Sequence, residues 1–343
     1  MGATLASSAD VKTITICASI ALAMLGCSGA TASMTTESDE LATLSGPDLR
    51  MNQIQMLATH NSYHKARPIL PLNLDYSFEP LDVQLEDQGV RSFELDLNFR
   101  DRRFEVFHKW NDWRTTCRKL TDCLKTMKTW SDGHRLHHPL VVLLEAKDSF
   151  DDVDAAAYIA KLDEEILSVW PSDRLVTPDL VRGDSTTLRD AIVQRGWPSL
   201  ASVRGRAMFV LMGSSELRTA YAHDGRSLDG RAAFVTSSTD APYASFTIMD
   251  DPKADGEAIR AAVSAGFMVR TRADSGLKEP RANDYTRLEA ALASGAHVVS
   301  TDFPAKVDDV EYVAQIPDGN PSRCNPVATV PGCTSALVED LTR

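Results

Sequence analysis

The chain has 343 residues, of which 43% are apolar and 24% are charged, a composition typical of a folded globular protein rather than a largely disordered one. Its 36 basic and 48 acidic residues give a net charge of −12 with histidine neutral. Because no block of lysine and arginine interrupts this acidic background, we do not expect nucleic acid as a partner.

The N-terminal sequence is predicted to serve export rather than the fold. An apolar run over residues 14–25 follows a lysine and is shorter than a bilayer-spanning helix, which is typical of a secretory signal. Cys27 ends the sequence M-L-G-C, which resembles a lipoprotein box, whereas A-T-A at 30–32 fits ordinary signal cleavage. We therefore assign residues 1–32 to a signal or lipoprotein peptide and 33–48 to a flexible tether, and expect either a cell-envelope lipoprotein or a secreted protein.

Beyond the tether, strand-like runs alternate with helical patterns, which predicts a mainly parallel sheet. The candidate strands are residues 52–58, 91–99, 104–108, 139–147, 206–212, 244–249, 267–272 and 297–302. The candidate helices are residues 79–88, 115–131, 152–169, 187–194, 254–265 and 283–294.

Eight such strands predict an α/β fold, an irregular (β/α)8 TIM-type barrel, in one domain over residues 49–343. A further β-rich piece at 232–237 is expected to be an extra hairpin strand. An open doubly wound sheet is the alternative, but no glycine-rich phosphate loop follows the first strand.

Four cysteines lie outside the signal region, namely Cys117, Cys123, Cys324 and Cys333. They allow three pairings, between which the sequence does not choose. We favour the two local pairs, Cys117 with Cys123 and Cys324 with Cys333. Zinc is the competing interpretation, but there is no C-x-x-C and an exported chain favours disulfides.

Polar residues lie in the predicted strands or at their carboxyl ends, and in a parallel barrel those ends meet at the rim that carries the active site. They are His60, Asn61, Glu94, Asp96, His108, Glu145, Lys147 and Arg270. Three carboxylates and an amide at one rim would repel one another without a cation, and their hard oxygens suit calcium or magnesium rather than zinc. Two histidines nearby supply acid–base capacity close to neutral pH.

These motifs resemble a known family. The stretch L-A-T-H-N-S-Y-H at 57–64, then F-E-L-D at 93–96 and V-F-H at 106–108, is similar to the catalytic X region of phosphoinositide-specific phospholipase C. The T-H-N-S-Y-H part of the first stretch, at 59–64, and the late V-R-T-R-A-D segment at 269–274 resemble the calcium-dependent bacterial secreted branch of this family. The match extends over roughly residues 50–305.

The resemblance implies roles for the rim residues. His60 and His108 correspond to the catalytic histidines, and Lys147 and Arg270 would contact phosphate or inositol. The calcium ligands would be Asn61, Glu94, Asp96 and Glu145. A phosphoinositide lipid at a membrane surface would be cleaved to diacylglycerol and a cyclic inositol phosphate, through attack by the inositol 2-hydroxyl. We expect no obligate protein partner and a monomer.

Other functions stay open. A glycerophosphodiester phosphodiesterase also uses an E-x-D pair and two histidines. The sequence that begins at its first histidine usually reads H-R-G, where this chain has H-N-S at 60–62. A sphingomyelinase D-like enzyme and a non-enzymatic calcium-binding envelope protein are further alternatives.

Several aromatic residues and histidines receive simpler interpretations. We expect Trp110 and Trp113 to pack in the interior, with anchoring at a membrane interface as the alternative. His134, His137 and His138 are interpreted as part of a solvated turn.

Overall fold

The computed structural model describes residues 49–67, 75–151, 153–318, 320–328 and 330–339. The predicted signal or lipoprotein peptide at 1–32 and the tether at 33–48 lie outside these residues. Within them, no helix is long and apolar enough to cross a bilayer.

The centre of the fold is a ring of parallel strands. The strands of the described residues, of which β3 and β10 lie outside this ring, are β1 Ile54–Thr59, β2 Ser92–Arg100, β3 Arg103–Val106, β4 Leu140–Ala146, β5 Ala207–Met212, β6 Ala233–Val235, β7 Phe246–Ile248, β8 Met268–Arg272, β9 Val298–Thr301 and β10 Ser322–Cys324. Parallel neighbours run β6-β5-β4-β2-β1-β9-β8-β7. A parallel bridge from Thr236 to Phe246 joins the two ends of this series, so the eight strands form the predicted barrel, nearly closed.

Two strand assignments from the sequence are wrong. The segment at 104–108 was expected in the barrel, but β3 pairs antiparallel with β2 as the second arm of a hairpin. Asp101 and Arg102 form its two-residue turn, both with positive φ, as a type I′ turn requires. The segment at 232–237 was expected to be a hairpin strand, but β6 pairs parallel with β5 and is the barrel's missing strand.

Helices surround the barrel, and each predicted helix has a counterpart. The helices are α1 Leu81–Glu86, α2 Leu120–Gly133, α3 Ala155–Val169, α4 Pro178–Arg182, α5 Leu188–Gln194, α6 Leu200–Val203, α7 Ser215–Tyr221, α8 Pro252–Ser264, α9 Lys278–Ala282, α10 Thr286–Ser294 and α11 Ser335–Val338. Side-chain caps stabilise the N-terminal ends of several of these helices. For example, Asp154 accepts hydrogen bonds from the backbone N–H groups of Ala156 and Ala157 at the start of α3.

The C-terminal segment packs across the amino-terminal end of the barrel. Strand β10 pairs antiparallel with the first half of β1, where β2 makes no registered pair. Glu339 forms a buried ion pair with Arg91, the residue that precedes β2. Both predicted disulfides, Cys117–Cys123 and Cys324–Cys333, are confirmed, and the cysteines are therefore not zinc ligands.

Of the three histidines predicted in a solvated turn before β4, His134 is exposed as expected, whereas the prediction is wrong for the other two. His137 and His138 are buried, and the ring of His138 lies 2.6 Å from Ser322 Oγ and 3.6 Å from a carboxylate oxygen of Glu339. Burial lowers the pKa of His138 to about 4. The prediction failed for His138 because Ser322 and Glu339 contact its ring from the C-terminal segment, more than 180 residues away, and for His137 because its ring packs back on Ser131 of α2.

Candidate active site

The loop after β1 is fixed to β2 by hydrogen bonds. The Ser62 N–H donates to the Glu94 carbonyl at 2.9 Å, and the Glu94 N–H donates to Ser62 Oγ at 2.8 Å. Asn61 has a φ of 50°, a left-handed conformation that asparagine adopts more readily than most residues. This turn places His60 and Asn61 beside the carboxylates of β2.

The carboxylates meet because of strand register. Asp96 on β2 is the registered partner of Glu145 on β4, and Glu94 lies two residues earlier on the same inward face. One oxygen from each of the three lies within 4.8 Å of the other two. The Lys147 ammonium lies 3.0 Å from Asp96 Oδ2 and 2.8 Å from Glu145 Oε1.

The donor atoms of this cluster fit a hard divalent cation. Asn61 Nδ2 donates to Tyr76 Oη at 3.2 Å, and the buried Asn61 Oδ1 has no hydrogen-bond partner among the described residues. Asp96 Oδ1 is also buried without a hydrogen-bond partner in the described part of the chain, and burial raises the pKa of Asp96 well above its usual value. Unpartnered buried oxygens of this kind match the all-oxygen coordination that calcium prefers. The predicted ligand set, Asn61, Glu94, Asp96 and Glu145, therefore fits the ion.

His60 is oriented by an aspartate and an arginine. Its Nδ1 lies 2.8 Å from Asp302 Oδ1, and its Nε2 faces the guanidinium of Arg272 at 3.2 Å. Because arginine only donates, this geometry fits an imidazole with the proton on Nδ1 and an unprotonated Nε2 whose lone pair accepts from Arg272. Burial, followed by the charge of Arg272, holds the pKa of His60 well below its usual value. The ring is therefore neutral at neutral pH.

His108 reaches the site by a different route from the one predicted. It does not end a parallel strand; the β2–β3 hairpin folds back so that the Phe107 N–H donates to the Asp96 carbonyl at 3.3 Å. His108 Nδ1 lies 3.0 Å from Asp112 Oδ2, and the buried His64 Nε2 lies 3.0 Å from the same carboxylate. Burial alone would raise the pKa of Asp112, but hydrogen bonds with His108 and His64 outweigh it and hold that pKa well below its usual value.

The two predicted substrate contacts occupy different environments. Lys147 is partly exposed and lines a groove of about 440 Å³ together with His108. Arg270 is buried, and its guanidinium pairs with Glu94 at 2.7 Å and with Asp250 at 2.5 Å. Arg270 Nε has no hydrogen-bond partner among the described residues.

Sequence reasoning missed Asp302, Asp112 and the position of Arg272 against His60. Asp302 directly follows β9, so the strand-end rule that selected His60 would also have selected it. Asp112 lies in a loop and carries no such signal.

Trp110 and Trp113 contradict the expectation that they pack in the interior. Their side chains are 84% and 51% exposed, and both line the groove that contains His108 and Lys147.

Similar folds occur among solved phospholipases. The calcium-dependent phosphoinositol-specific phospholipase C from the Gram-negative bacterium Pseudomonas sp. matches with a TM-score of 0.60 at 18% identity, over 81% of this chain and 96% of that chain. The Ca2+-dependent phosphatidylinositol-specific phospholipase C from Streptomyces antibioticus matches with 0.56 at 20% identity, over 75% and 95%. The phosphatidylinositol-specific phospholipase C from Listeria monocytogenes matches with 0.51 at 12% identity, over 76% and 93%. These likenesses confirm the TIM-type barrel.

Family membership comes from the sequence. A comparison with curated proteins gives no match. The family model for phosphoinositide phospholipase C, Ca2+-dependent, matches residues 49–104 and 99–326, which is most of the chain and includes every predicted site residue. The chain therefore belongs to the Ca2+-dependent phosphoinositide phospholipase C family.

Proposed function

We propose that this protein cleaves phosphatidylinositol-type lipids to diacylglycerol and an inositol cyclic phosphate, with the substrate's own 2-hydroxyl as nucleophile. One observation carries the proposal: a neutral histidine with an unprotonated Nε2, which accepts from Arg272, lies beside an all-oxygen acidic cluster in a chain of this family. Intramolecular attack fits this arrangement because it gains a large effective molarity and needs no protein nucleophile.

The residues that would hold the calcium are Asn61, Glu94, Asp96 and Glu145. When bound, calcium supplies Lewis acidity toward the 2-hydroxyl and neutralises charge on the phosphoryl group. The guanidinium of Arg270 holds Glu94 in place through its ion pair.

His60 is proposed as the general base. Asp302 holds the Nδ1 proton, so Nε2, once the 2-hydroxyl replaces Arg272 as its hydrogen-bond donor, accepts the proton of that hydroxyl. The 2-oxygen then bonds to phosphorus, and the bond from phosphorus to the glycerol oxygen breaks.

His108 is proposed as the general acid, with Asp112 as the residue that positions it. The carboxylate of Asp112 faces Nδ1, which leaves Nε2 of His108 to donate a proton to the departing diacylglycerol oxygen. Lys147, from the same groove, and the free Nε–H of Arg270 are proposed to contact phosphate or inositol oxygens.

The product decides between this function and its alternatives. We expect phosphorus NMR to show inositol 1,2-cyclic phosphate released from phosphatidylinositol, and a 2-deoxy-inositol lipid to remain uncleaved. Turnover of glycerophosphocholine at a comparable rate would point to a glycerophosphodiesterase, and a requirement for choline lipids would point to a sphingomyelinase D-like enzyme. Either result would contradict the proposal.

We also propose that the chain is exported, with residues 1–32 as the signal or lipoprotein peptide, 33–48 as the tether and 49–343 as the catalytic domain. Two disulfides support an oxidising compartment. Mass spectrometry of the mature N-terminus distinguishes acylated Cys27 from cleavage near residue 32. The monomeric state and the lack of an obligate protein partner stay predictions that light scattering tests.

A further inference from the structure

We infer that His64 is a positioning residue for His108, which it holds in place through the carboxylate of Asp112. His64 belongs to the loop after β1 and Asp112 to the loop after β3, so their contact joins the two loops that carry the proposed catalytic histidines. This inference rests on the proposed function, because it assigns a partner to the general acid of that reaction.

Both ring nitrogens of His64 face acceptors. Nε2 lies 3.0 Å from each carboxylate oxygen of Asp112, and Nδ1 lies 3.0 Å from the carbonyl oxygen of Tyr76, which can only accept. Burial would raise the pKa of Asp112, but hydrogen bonds with His108 and His64 hold it well below its usual value, so the ionised carboxylate also only accepts. These contacts assign a proton to each ring nitrogen of His64, which therefore donates in both directions.

This arrangement is found at none of the other buried histidines that the structure describes. His137 and His138 each have one ring nitrogen against a serine hydroxyl, which can donate. His297 Nδ1 accepts from the Val269 N–H at 3.1 Å. Those three rings can be neutral, as burial favours, whereas both nitrogens of His64 are committed as donors to fixed acceptors.

The surroundings of His64 fix the position of its ring. Its backbone N–H donates to the Asn61 carbonyl at 2.8 Å, and its carbonyl accepts from the Phe78 N–H at 2.9 Å. The centre of the ring lies 4.6 Å from that of Tyr76. The side chains of His64 and Asp112 are both 0% exposed, so water does not compete for their contact. His64 is therefore a fixed donor that can orient Asp112.

Asp112 transmits this orientation to His108. Its carboxylate faces His64 with both oxygens, which fixes the carboxylate plane, and Oδ2 also lies 3.0 Å from His108 Nδ1. Since this is the hydrogen bond that the described residues offer to the partly exposed His108 ring, it sets the direction of Nε2. Without His64, the carboxylate would be free to rotate, and Nε2 would no longer point at the departing glycerol oxygen.

Two substrates separate a role in proton donation from a role in folding. Phosphatidylinositol releases an alkoxide that needs a proton from the acid, whereas 4-nitrophenyl inositol 1-phosphate releases nitrophenolate, a stable anion that needs none. Both substrates require the same attack by the 2-hydroxyl. The ratio of the two kcat values does not depend on how much of a variant is folded, because one sample serves for both substrates.

Two amide variants at position 64 differ in the contact that they keep. The side-chain amide of His64→Gln can replace Nε2 as the donor to Asp112, whereas that of His64→Asn can replace Nδ1 as the donor to Tyr76 and does not reach Asp112. His297→Asn is the control, because His297 is a buried histidine that precedes β9 at the opposite end of the barrel.

We expect His64→Asn to lower kcat for phosphatidylinositol by roughly tenfold or more with KM nearly constant, and kcat for the nitrophenyl ester by less than about threefold. His64→Gln should keep most of the wild-type rate with both substrates. In an Asp112→Asn background, His64→Asn should cause little further loss, because the two residues act in series. His297→Asn should leave the ratio of the kcat values unchanged.

Nitrogen NMR at pH 7 tests the same assignment in the wild type, whether or not His64→Asn folds. We expect one histidine with protons on both ring nitrogens and slow exchange with water, because His64 is fully buried, and its signal should be missing from His64→Gln. Absence of such a histidine, or equal losses with both substrates in His64→Asn, would overturn the inference. Failure of the proposed function is distinguishable, because the wild type would then form no cyclic product or His108→Ala would lose both rates equally.

Discussion

At the scale of single residues, the environment of each histidine sets its role. His60 is neutral because burial and Arg272 lower its pKa, while Asp302 fixes the tautomer that leaves Nε2 unprotonated. His108 instead shares an aspartate with His64. The pair is therefore asymmetric, as one base and one acid in a single reaction require.

We expect His60→Ala and His108→Ala each to lower kcat for phosphatidylinositol by at least about a thousandfold, because each removes a proton-transfer group at the reacting phosphate. His134→Ala is the control, since His134 lies before β4 at the opposite end of the barrel. Single-turnover rates and thermal melts check the prediction. A near-native rate in either variant, with an unchanged melt, would remove that histidine from the mechanism.

Asp112→Asn tests the positioning of His108. We expect kcat to fall by roughly tenfold or more with KM nearly constant, because the variant changes the orientation of His108 and not a lipid contact. Asp122→Asn, at an exposed position on α2, should change neither constant. A rise in KM with kcat unchanged would contradict a positioning role.

The strand-end rule predicted where most of the site lies, and strand register explains why. Glu94, Asp96 and Glu145 could be placed together from alternation along β2 and from the neighbouring position of β4. Asp112 could not be predicted, since its contact with His108 depends on a hairpin and a loop whose conformations leave no periodic pattern.

At the scale of elements, the main wrong prediction was the assignment of β3 to the barrel, because β3 is the second arm of the β2–β3 hairpin. Strands β3 and β6 are four and three residues long, too short for alternation to tell an antiparallel arm from a barrel strand. The turn between β2 and β3 contains no glycine, although both of its residues have positive φ. The usual sequence signal of a type I′ hairpin was therefore missing.

The C-terminal segment should be stabilised by its buried ion pair. Burial alone would raise the pKa of Glu339, but Arg91 and His138 outweigh it and lower the pKa to about 2. At pH 7, Glu339→Gln should lower the free energy of unfolding by about 3–5 kcal/mol, because it leaves Arg91 buried without a counter-charge. Glu311→Gln is the control, since Glu311 and Lys306 form an exposed pair that should contribute less than about 1 kcal/mol.

The loss of unfolding free energy caused by Glu339→Gln should depend on pH. A carboxylate with a lowered folded pKa contributes stability above its unfolded pKa and loses it as the pH falls toward the folded value. The difference between Glu339→Gln and the wild type should therefore be largest above about pH 4.5 and shrink toward pH 2. Urea unfolding of both proteins across this pH range checks the prediction. A stability difference that stays constant with pH would contradict it.

At the scale of the whole molecule, the two ends of the barrel have separate tasks. The carboxyl-terminal rim holds the acidic cluster and both histidines that we propose as catalytic. The amino-terminal end is covered by the C-terminal segment, with Glu339 against Arg91 and a disulfide after β10. The barrel was predictable from strand and helix alternation, and the two disulfides are the local pairs that were favoured among three possible pairings, whereas the packing of this long-range tail was not predictable.

The central claim is that the acidic cluster binds the calcium on which cleavage depends. The direct measurement follows calcium binding by titration calorimetry and phosphatidylinositol cleavage at the same calcium concentrations, for the wild type and for Asp96→Asn. We expect no cleavage in chelator, full recovery on adding calcium, matching midpoints of binding and activity, and a parallel loss of both in the variant. Full wild-type activity in chelator after exhaustive dialysis, or unchanged calcium binding in Asp96→Asn, would contradict the account.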